Sequence, residues 1–199
     1  MHPGVIACSA SCCCIGSTLK TNQVRIIGGQ WRSRIIHFPS AESLRPTADR
    51  LRETLFNWLG QDLTGKTCLD LFAGSGALGF EAASRGARHV VMVEQNASIY
   101  RALQQTRVEL GAGQIELRRM DAMAFLKHDT GHYDVIFLDP PFNLGWLARV
   151  LPLLPVRLAA DARIYLEAEA AIKVPAPFSA LKQTRVGQVY AVLINYVPS

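Results

Sequence analysis

The sequence predicts an α/β fold, a mostly parallel sheet with helices on both faces, preceded by a small β-hairpin and helix and ending in an antiparallel strand. Two observations carry this. From Lys66 onward, short strand-like runs (TCLDLF, HVVMVE, QIELRR, YDVIFLD, ARIYLE) alternate with helical stretches. Most of these runs are apolar throughout, as expected of parallel strands buried on both faces. Near the end, LKQTRVGQVYAVLINY holds two β runs separated only by Gly187 and its neighbours. That gap is too short for a crossover helix, so these two runs must pair antiparallel.

The chain has 199 residues, 49% of them hydrophobic, and a formal charge of +5. Such a length suits one domain with a short appendage. No apolar run approaches the roughly 18 residues of a membrane span. Residues 1–22 read as a disordered, reduced cytoplasmic leader in which Cys8, Cys12, Cys13 and Cys14 crowd together without zinc-ligand spacing. Too few residues precede Cys8 to supply a signal core. Residues 23–60 form the second unit. Val24 to Ile27 and Arg34 to Phe38 read as strands around a loose Gly28-Gly29 loop. Thr47 can cap a following helix in which Ala48, Leu51, Leu55 and Leu59 repeat at helical spacing and Gly60 ends the pattern. Arg25, Arg32, Arg34, Arg45, Arg50 and Arg52 face only Glu42 and Asp49 in this stretch, which predicts a docking surface for phosphates. The third unit is residues 61–199.

Within that unit, Gly74-Ser75-Gly76-Ala77-Leu78-Gly79 follows the strand LDLF and opens a helix that begins near Leu78. Glu94 ends the next strand, placed to accept both hydroxyls of a ribose. A nucleoside ligand is indicated. Asp70 stands just ahead of the glycines, where a carboxylate repels pyrophosphate but attracts the ammonium and sulfonium charges of S-adenosyl-L-methionine. Asp121, after the third strand, can bond an adenine amino group or simply cap the helix DAMAFLKH. Three acids at strand ends fit a methyl donor better than NAD.

Asp139-Pro140-Pro141-Phe142 then ends the apolar strand VIFL. Prolines donate no ladder bonds, so the strand stops and its next carbonyls are left free. The Asp139 carboxylate and the Pro140 carbonyl can hold both hydrogens of an exocyclic amino group and turn its lone pair toward a methyl group. Phe142 offers a face for base stacking.

These motifs resemble the class I S-adenosylmethionine-dependent methyltransferases with a D-P-P-F/Y turn. RIIGGQWRSR, LRPTADRLRETLFNWL, LDLFAGSGALGFEAASRGA, VIFLDPPF and VGQVYAVL more closely resemble the RsmD family of bacterial 16S rRNA guanine-N2 methyltransferases. The resemblance spans about Arg25 to Tyr196. It implies a Rossmann-like, seven-stranded sheet with a reversed last strand, S-adenosyl-L-methionine as cofactor, and methylation of one guanine N2 in 16S rRNA of the small subunit or its assembly intermediate, by a monomer without a metal. By motif match it makes Asp139, Pro140 and Phe142 the target-amino site. Asp70, Phe72, Gly74, Ser75 and Gly76 become the methionine loop, Glu94 the ribose ligand, Asp121 and Ala122 the adenine side, and Arg25, Arg32, Arg34, Arg45 and Arg50 the RNA contacts. Ser33 stands where the family pattern WRGR has glycine, and Ile35-Ile36-His37 replaces a more basic continuation.

A DNA adenine-N6 methyltransferase poses the same amino-nucleophile problem, but reading a DNA sequence needs an extra region that this compact chain lacks. A non-catalytic ribosome-assembly factor with the same fold would have no use for acids at 70, 94 and 139. An NAD-linked dehydrogenase is distinguished by cofactor titration.

Overall fold

The computed structural model describes residues 21–39, 49–141 and 145–198. The cysteines of the leader, Arg45, the expected Thr47 cap and Phe142 lie outside them. The N-terminal hairpin pairs β1 (Thr21–Arg25) with β2 (Ile35–Pro39), antiparallel, so the first strand takes in two residues assigned above to the leader. Helix α1 (Asp49–Leu59) follows. The alternating region then runs β3 (Thr67–Asp70), α2 (Ala77–Ser84), β4 (His89–Val93), α3 (Ala97–Glu109), β5 (Ile115–Arg118), α4 (Ala122–His128) and β6 (Tyr133–Leu138). Pro152 and Pro155 lie in the next helical stretch, which is split into α5 (Trp146–Val150) and two 3-10 turns, Leu151–Leu153 and Pro155–Arg157. Strands β7 (Leu158–Ala168), β8 (Phe178–Val186) and β9 (Val189–Tyr196) close the order. Among the described residues no helix is long and apolar enough to cross a membrane.

The seven-stranded sheet has the order β5-β4-β3-β6-β7-β9-β8. Strands β3 to β7 are mutually parallel, and β9 runs antiparallel between β7 and β8, the reversed strand expected from the short Gly187 turn. The chain leaves β3 toward β4 and β5 on one side and returns to β6 on the other. That reversal opens a crevice at the carboxyl ends of β3 and β6, where ligands of such sheets bind.

Strand alternation divides the core. Cys68, Val90, Met92, Val135, Phe137, Tyr165 and Leu193 point to one face, against the hairpin, α1, α2 and α3. Leu69, Val91, Ile136, Leu138, Ile164 and Val192 point to the other, against α4 and α5. Val24, Ile26, Ile36 and Phe38 of the hairpin are buried in the first of these clusters.

A buried carboxylate fastens the N-terminal segment to α2. Glu81 is 0% exposed. Its Oε2 accepts from Ile27 N at 2.7 Å and from Arg52 Nη1 at 3.5 Å. Its Oε1 accepts from Gly28 N and from Arg85 Nε, each at 2.8 Å. Ser84 continues the seam, its Oγ donating to Gly28 O at 2.6 Å and accepting from Trp31 N at 2.9 Å, while its carbonyl accepts from Gln30 N at 2.8 Å. The Gly28-Gly29 loop is therefore tight, contrary to expectation. A Cβ on Gly29 would overlap the Ser84 carbonyl, and one on Gly28 would press on the Arg85 guanidinium.

Arg52 is a second correction. Counted above with the phosphate-facing arginines, it is 0% exposed and pairs with Asp49 at 2.6 Å as well as with Glu81. It turns inward because Glu81 is there to receive it. Ser33 adopts a left-handed backbone, φ 70°, the conformation that favours the glycine of the family pattern.

Removing one member of a buried ionic network leaves the others uncompensated. Glu81→Ala should thus destabilise the protein by about 3 to 5 kcal/mol in denaturant titrations, with Glu81→Gln costing less because it keeps an acceptor for the Ile27 or Gly28 amide.

Candidate active site at the carboxyl ends of the strands

Each strand that borders the crevice ends in or beside an acid. Asp70 closes β3, Glu94 follows β4, Asp139 follows β6 and Glu167 lies near the end of β7. The glycine turn after β3 is tied to the sheet by Leu71 N donating to Phe137 O at 3.2 Å and Ala73 N to Val93 O at 2.9 Å. Gly74 (φ 49°) and Gly76 (φ 80°) take left-handed conformations that let the chain swing into α2. Gly79 answers a different need, since a Cβ there would collide with Met92 and push α2 off β4.

Two of the predicted acids clamp this turn. Asp70 is 1% exposed, and its Oδ2 accepts from Gly79 N at 3.0 Å, satisfying an amide in the first turn of α2. Among the described residues no donor meets the hydrogen-bond geometry for its buried Oδ1, although the Phe72 amide lies near enough to favour the carboxylate. Glu94, half-buried, accepts from Gly74 N through Oε2 at 3.0 Å and from Asn96 N through Oε1 at 2.7 Å. Each oxygen keeps a lone pair for a further donor. The buried Ser75 turns its Oγ to Ala77 N at 3.3 Å.

At the next edge, Asp121 caps α4, Oδ1 accepting from Met123 N at 2.9 Å and Ala124 N at 3.0 Å. The capping alternative is realised, and Ala122 is buried behind it. Phe72 is half-buried and meets Trp146 edge-on at 5.3 Å, with the Arg149 guanidinium over the other ring at 4.6 Å. Pro140 is buried and Asp139 partly exposed.

Arg25, Arg32, Arg34 and Arg50 are all exposed. The turn bearing Arg32 is bonded to Ser84, the last residue of α2, roughly 10 Å along that helix from the glycine turn. Arg50 lies in the first turn of α1.

Comparison with known proteins agrees with this architecture. The family model described as "Conserved hypothetical protein 95" matches residues 24–195. The Ribosomal RNA small subunit methyltransferase D of Escherichia coli K12 is 42% identical over 174 residues, covering 85% of this chain and 88% of the relative. The chain belongs to the RsmD family. A Haemophilus influenzae RsmD protein is 41% identical over 153 residues, 74% of this chain and 79% of its own. The solved structure of Escherichia coli yhhF superposes with a TM-score of 0.79 at 41% identity, covering 89% of this chain and all of the other. The Rossmann-like methyltransferase fold expected from the sequence is the fold observed.

In this RsmD chain the strand-end acids act on one another. Burial raises Asp70 to a pKa of about 7, with the charges of Asp139 and Glu94 adding to it against the Gly79 amide. Burial also raises Glu94, opposed by the Asn96 and Gly74 amides. Glu167, 3% exposed, is pushed well above the carboxylate range by burial and then by Asp139. Glu167 is a site acid not named among the candidates above, although ARIYLE ends in an acid as the strands before Glu94 and Asp139 do. Burial pushes the Cys68 thiol up to about 12, so it is no nucleophile. Among the described residues no cluster of His, Cys, Asp and Glu is arranged to hold a metal ion.

An aspartate whose folded pKa is raised stabilises the fold fully below its ordinary range, and that contribution is lost as pH rises through about 7. Thermal melts of the ligand-free protein should lose this contribution between about pH 4 and pH 7 and level off above it, and Asp70→Asn, which keeps an acceptor for Gly79, should flatten that fall. An equal pH dependence in the variant would remove Asp70 as its source.

Proposed function

We propose that this chain methylates the exocyclic N2 amino group of a guanine in the 16S rRNA of the small ribosomal subunit, using S-adenosyl-L-methionine. The observation that carries the reading is Asp139. It is the partly exposed acid at the tip of β6, directly across the switch point from the glycine turn and Asp70. Relatives at 41% and 42% identity bear the name Ribosomal RNA small subunit methyltransferase D.

The residues present suit the cofactor. Asp70 Oδ1, a buried acceptor beside backbone that glycines open to close approach, would be held ionised by an arriving cation, a setting that favours a cationic amino acid moiety over pyrophosphate. Phe72, Gly74, Ser75 and Gly76 would line the methionine end, Glu94 would accept from the ribose hydroxyls, and Asp121 with Ala122 would border the adenine. When bound, S-adenosyl-L-methionine supplies an activated methyl group and retains the electron pair of the bond that breaks.

Everything else falls to the chain. A guanine N2 lone pair is delocalised into the ring, so the amino group must be turned before it can attack. The Asp139 carboxylate and the Pro140 carbonyl are the two acceptors for its hydrogens, and Phe142 is the stacking face that keeps the base in plane. As the new N–C bond forms, the nitrogen sheds a proton. Asp139, partly open to solvent, takes it and releases it to water. The exposed Arg25, Arg32, Arg34 and Arg50, with Arg45, supply phosphate contacts that hold the RNA.

Asp139→Ala should lower turnover at least about a hundredfold, on the order of 3 kcal/mol, with little change in cofactor affinity by calorimetry. Digestion of small-subunit RNA methylated by the wild-type protein should yield N2-methylguanosine by mass spectrometry. Methyladenine in DNA, or full turnover from Asp139→Ala, would overturn the reading.

Activity should also fall steeply with salt, and the double substitution Arg32→Ala, Arg34→Ala should flatten that slope while leaving cofactor binding alone. An unchanged RNA affinity would place the docking face elsewhere, with Arg50 the next residue to test.

A further inference from the structure

The cluster at the switch point contains an acid that the mechanism above leaves without a task. Phe137 pairs with Tyr165 and Leu138 with Leu166 across the parallel β6–β7 ladder, so Asp139 and Glu167 come next, side by side. Strand alternation sends both toward the face that carries Phe137 and Tyr165. Asp70 pairs with Phe137 on the other flank, which puts a third carboxylate on that same face. Glu167 is buried, and the Tyr165 hydroxyl donates to its Oε1 at 2.8 Å. Tyr165 itself is fully buried, so the clamp on Glu167 is rigid.

We propose, on the basis of the methyltransferase reading above, that Glu167 is a positioning residue for the transfer: clamped by Tyr165 beside Asp139, it fixes the Asp139 carboxylate toward the target amino group. Two adjacent carboxyls at a water-poor strand edge do not both carry charge, because like charges so placed repel strongly. The charge belongs on the member that water can reach, which is Asp139. Glu167 is then the neutral partner. With one oxygen occupied by Tyr165, its other oxygen carries the hydrogen that can be donated to Asp139. That bond turns the Asp139 carboxylate toward the amino group of the base. Burial and then the like charge of Asp139 raise this carboxyl, with the Tyr165 hydrogen bond acting against them.

Single-turnover methyl transfer to small ribosomal subunits lacking the modification, with labelled S-adenosyl-L-methionine, tests this. Glu167→Ala should lower the transfer rate about tenfold or more while cofactor affinity and the half-saturating subunit concentration stay within about twofold. Glu167→Gln, neutral and able to donate, should restore most of the rate. In an Asp139→Ala background, Glu167→Ala should cost less than about twofold, because a residue acting through Asp139 has nothing left to act on. Three results would overturn the inference: a wild-type rate in the folded Glu167→Ala protein, equal losses in Gln and Ala variants, or additive losses in the double variant. If the wild-type protein transfers no methyl group to the subunits, the proposed function fails and this inference fails with it. A wild type that makes N2-methylguanosine beside an indifferent Glu167→Ala variant would sink the inference alone.

Discussion

The buried Glu81 carboxylate is the point on which the arrangement of this molecule depends. A charge with no access to water costs several kcal/mol unless it is neutralised and its lone pairs are used. Glu81 meets both conditions with two guanidinium groups and two backbone amides, drawn from α1, from the residue that caps α2 and from the loop between β1 and β2. Nothing apolar could hold those three pieces in one register, because the Ile27 and Gly28 amides would then be buried unpaired. The glycine pair follows from the same constraint, since only residues without a side chain let that loop reach the end of α2. Helix α2 in turn starts at the glycine turn. The hairpin and the crevice at the switch point are thereby mounted on opposite ends of one helix.

The crevice is governed by a different balance, that of carboxylates which oppose one another's ionisation. Asp70 and Glu167 are buried, Glu94 is half-buried, and Asp139 is partly open. Burial, and then mutual repulsion, disfavours charge on the inner members, and the two innermost acids are met by an amide of α2 and by a tyrosine hydroxyl. A parallel sheet with a topological switch produces this clustering almost unavoidably, because its strands all deliver their last side chains to the same edge.

Much of this is legible in the sequence alone. Strand-like runs, most of them apolar throughout, mark every strand of the parallel region, and the short turn at Gly187 marks the reversed strand. The Asp70, Gly74, Glu94 and Asp139 group was visible because glycines, prolines and acids at strand ends break an otherwise apolar pattern. Arg52 and Glu81 were not visible, since helical periodicity assigns every charged side chain to the solvent face and contains no signal for a partner 29 residues away. Gly28-Gly29 looked like slack for the same reason: the surface that confines it belongs to α2, more than 50 residues later. Asp121 shows the limit in another form. One carboxylate suits a helix cap and an adenine equally well, and only the bonds to Met123 and Ala124 reveal which role its first oxygen plays.

The position of β9 has a consequence for how the protein is made. This strand comes last in the sheet's sequence order yet lies inside it, between β7 and β8. While the ribosome is still translating the chain, β7 therefore carries an open edge of unpaired amides and carbonyls, and β8 has no neighbour at all, until Val189–Tyr196 have emerged from the exit tunnel. A nascent chain stalled short of that point exposes the strand that bears Tyr165 and Glu167. The sheet edge that carries Glu167 is thus completed only after its own hairpin partner has been made.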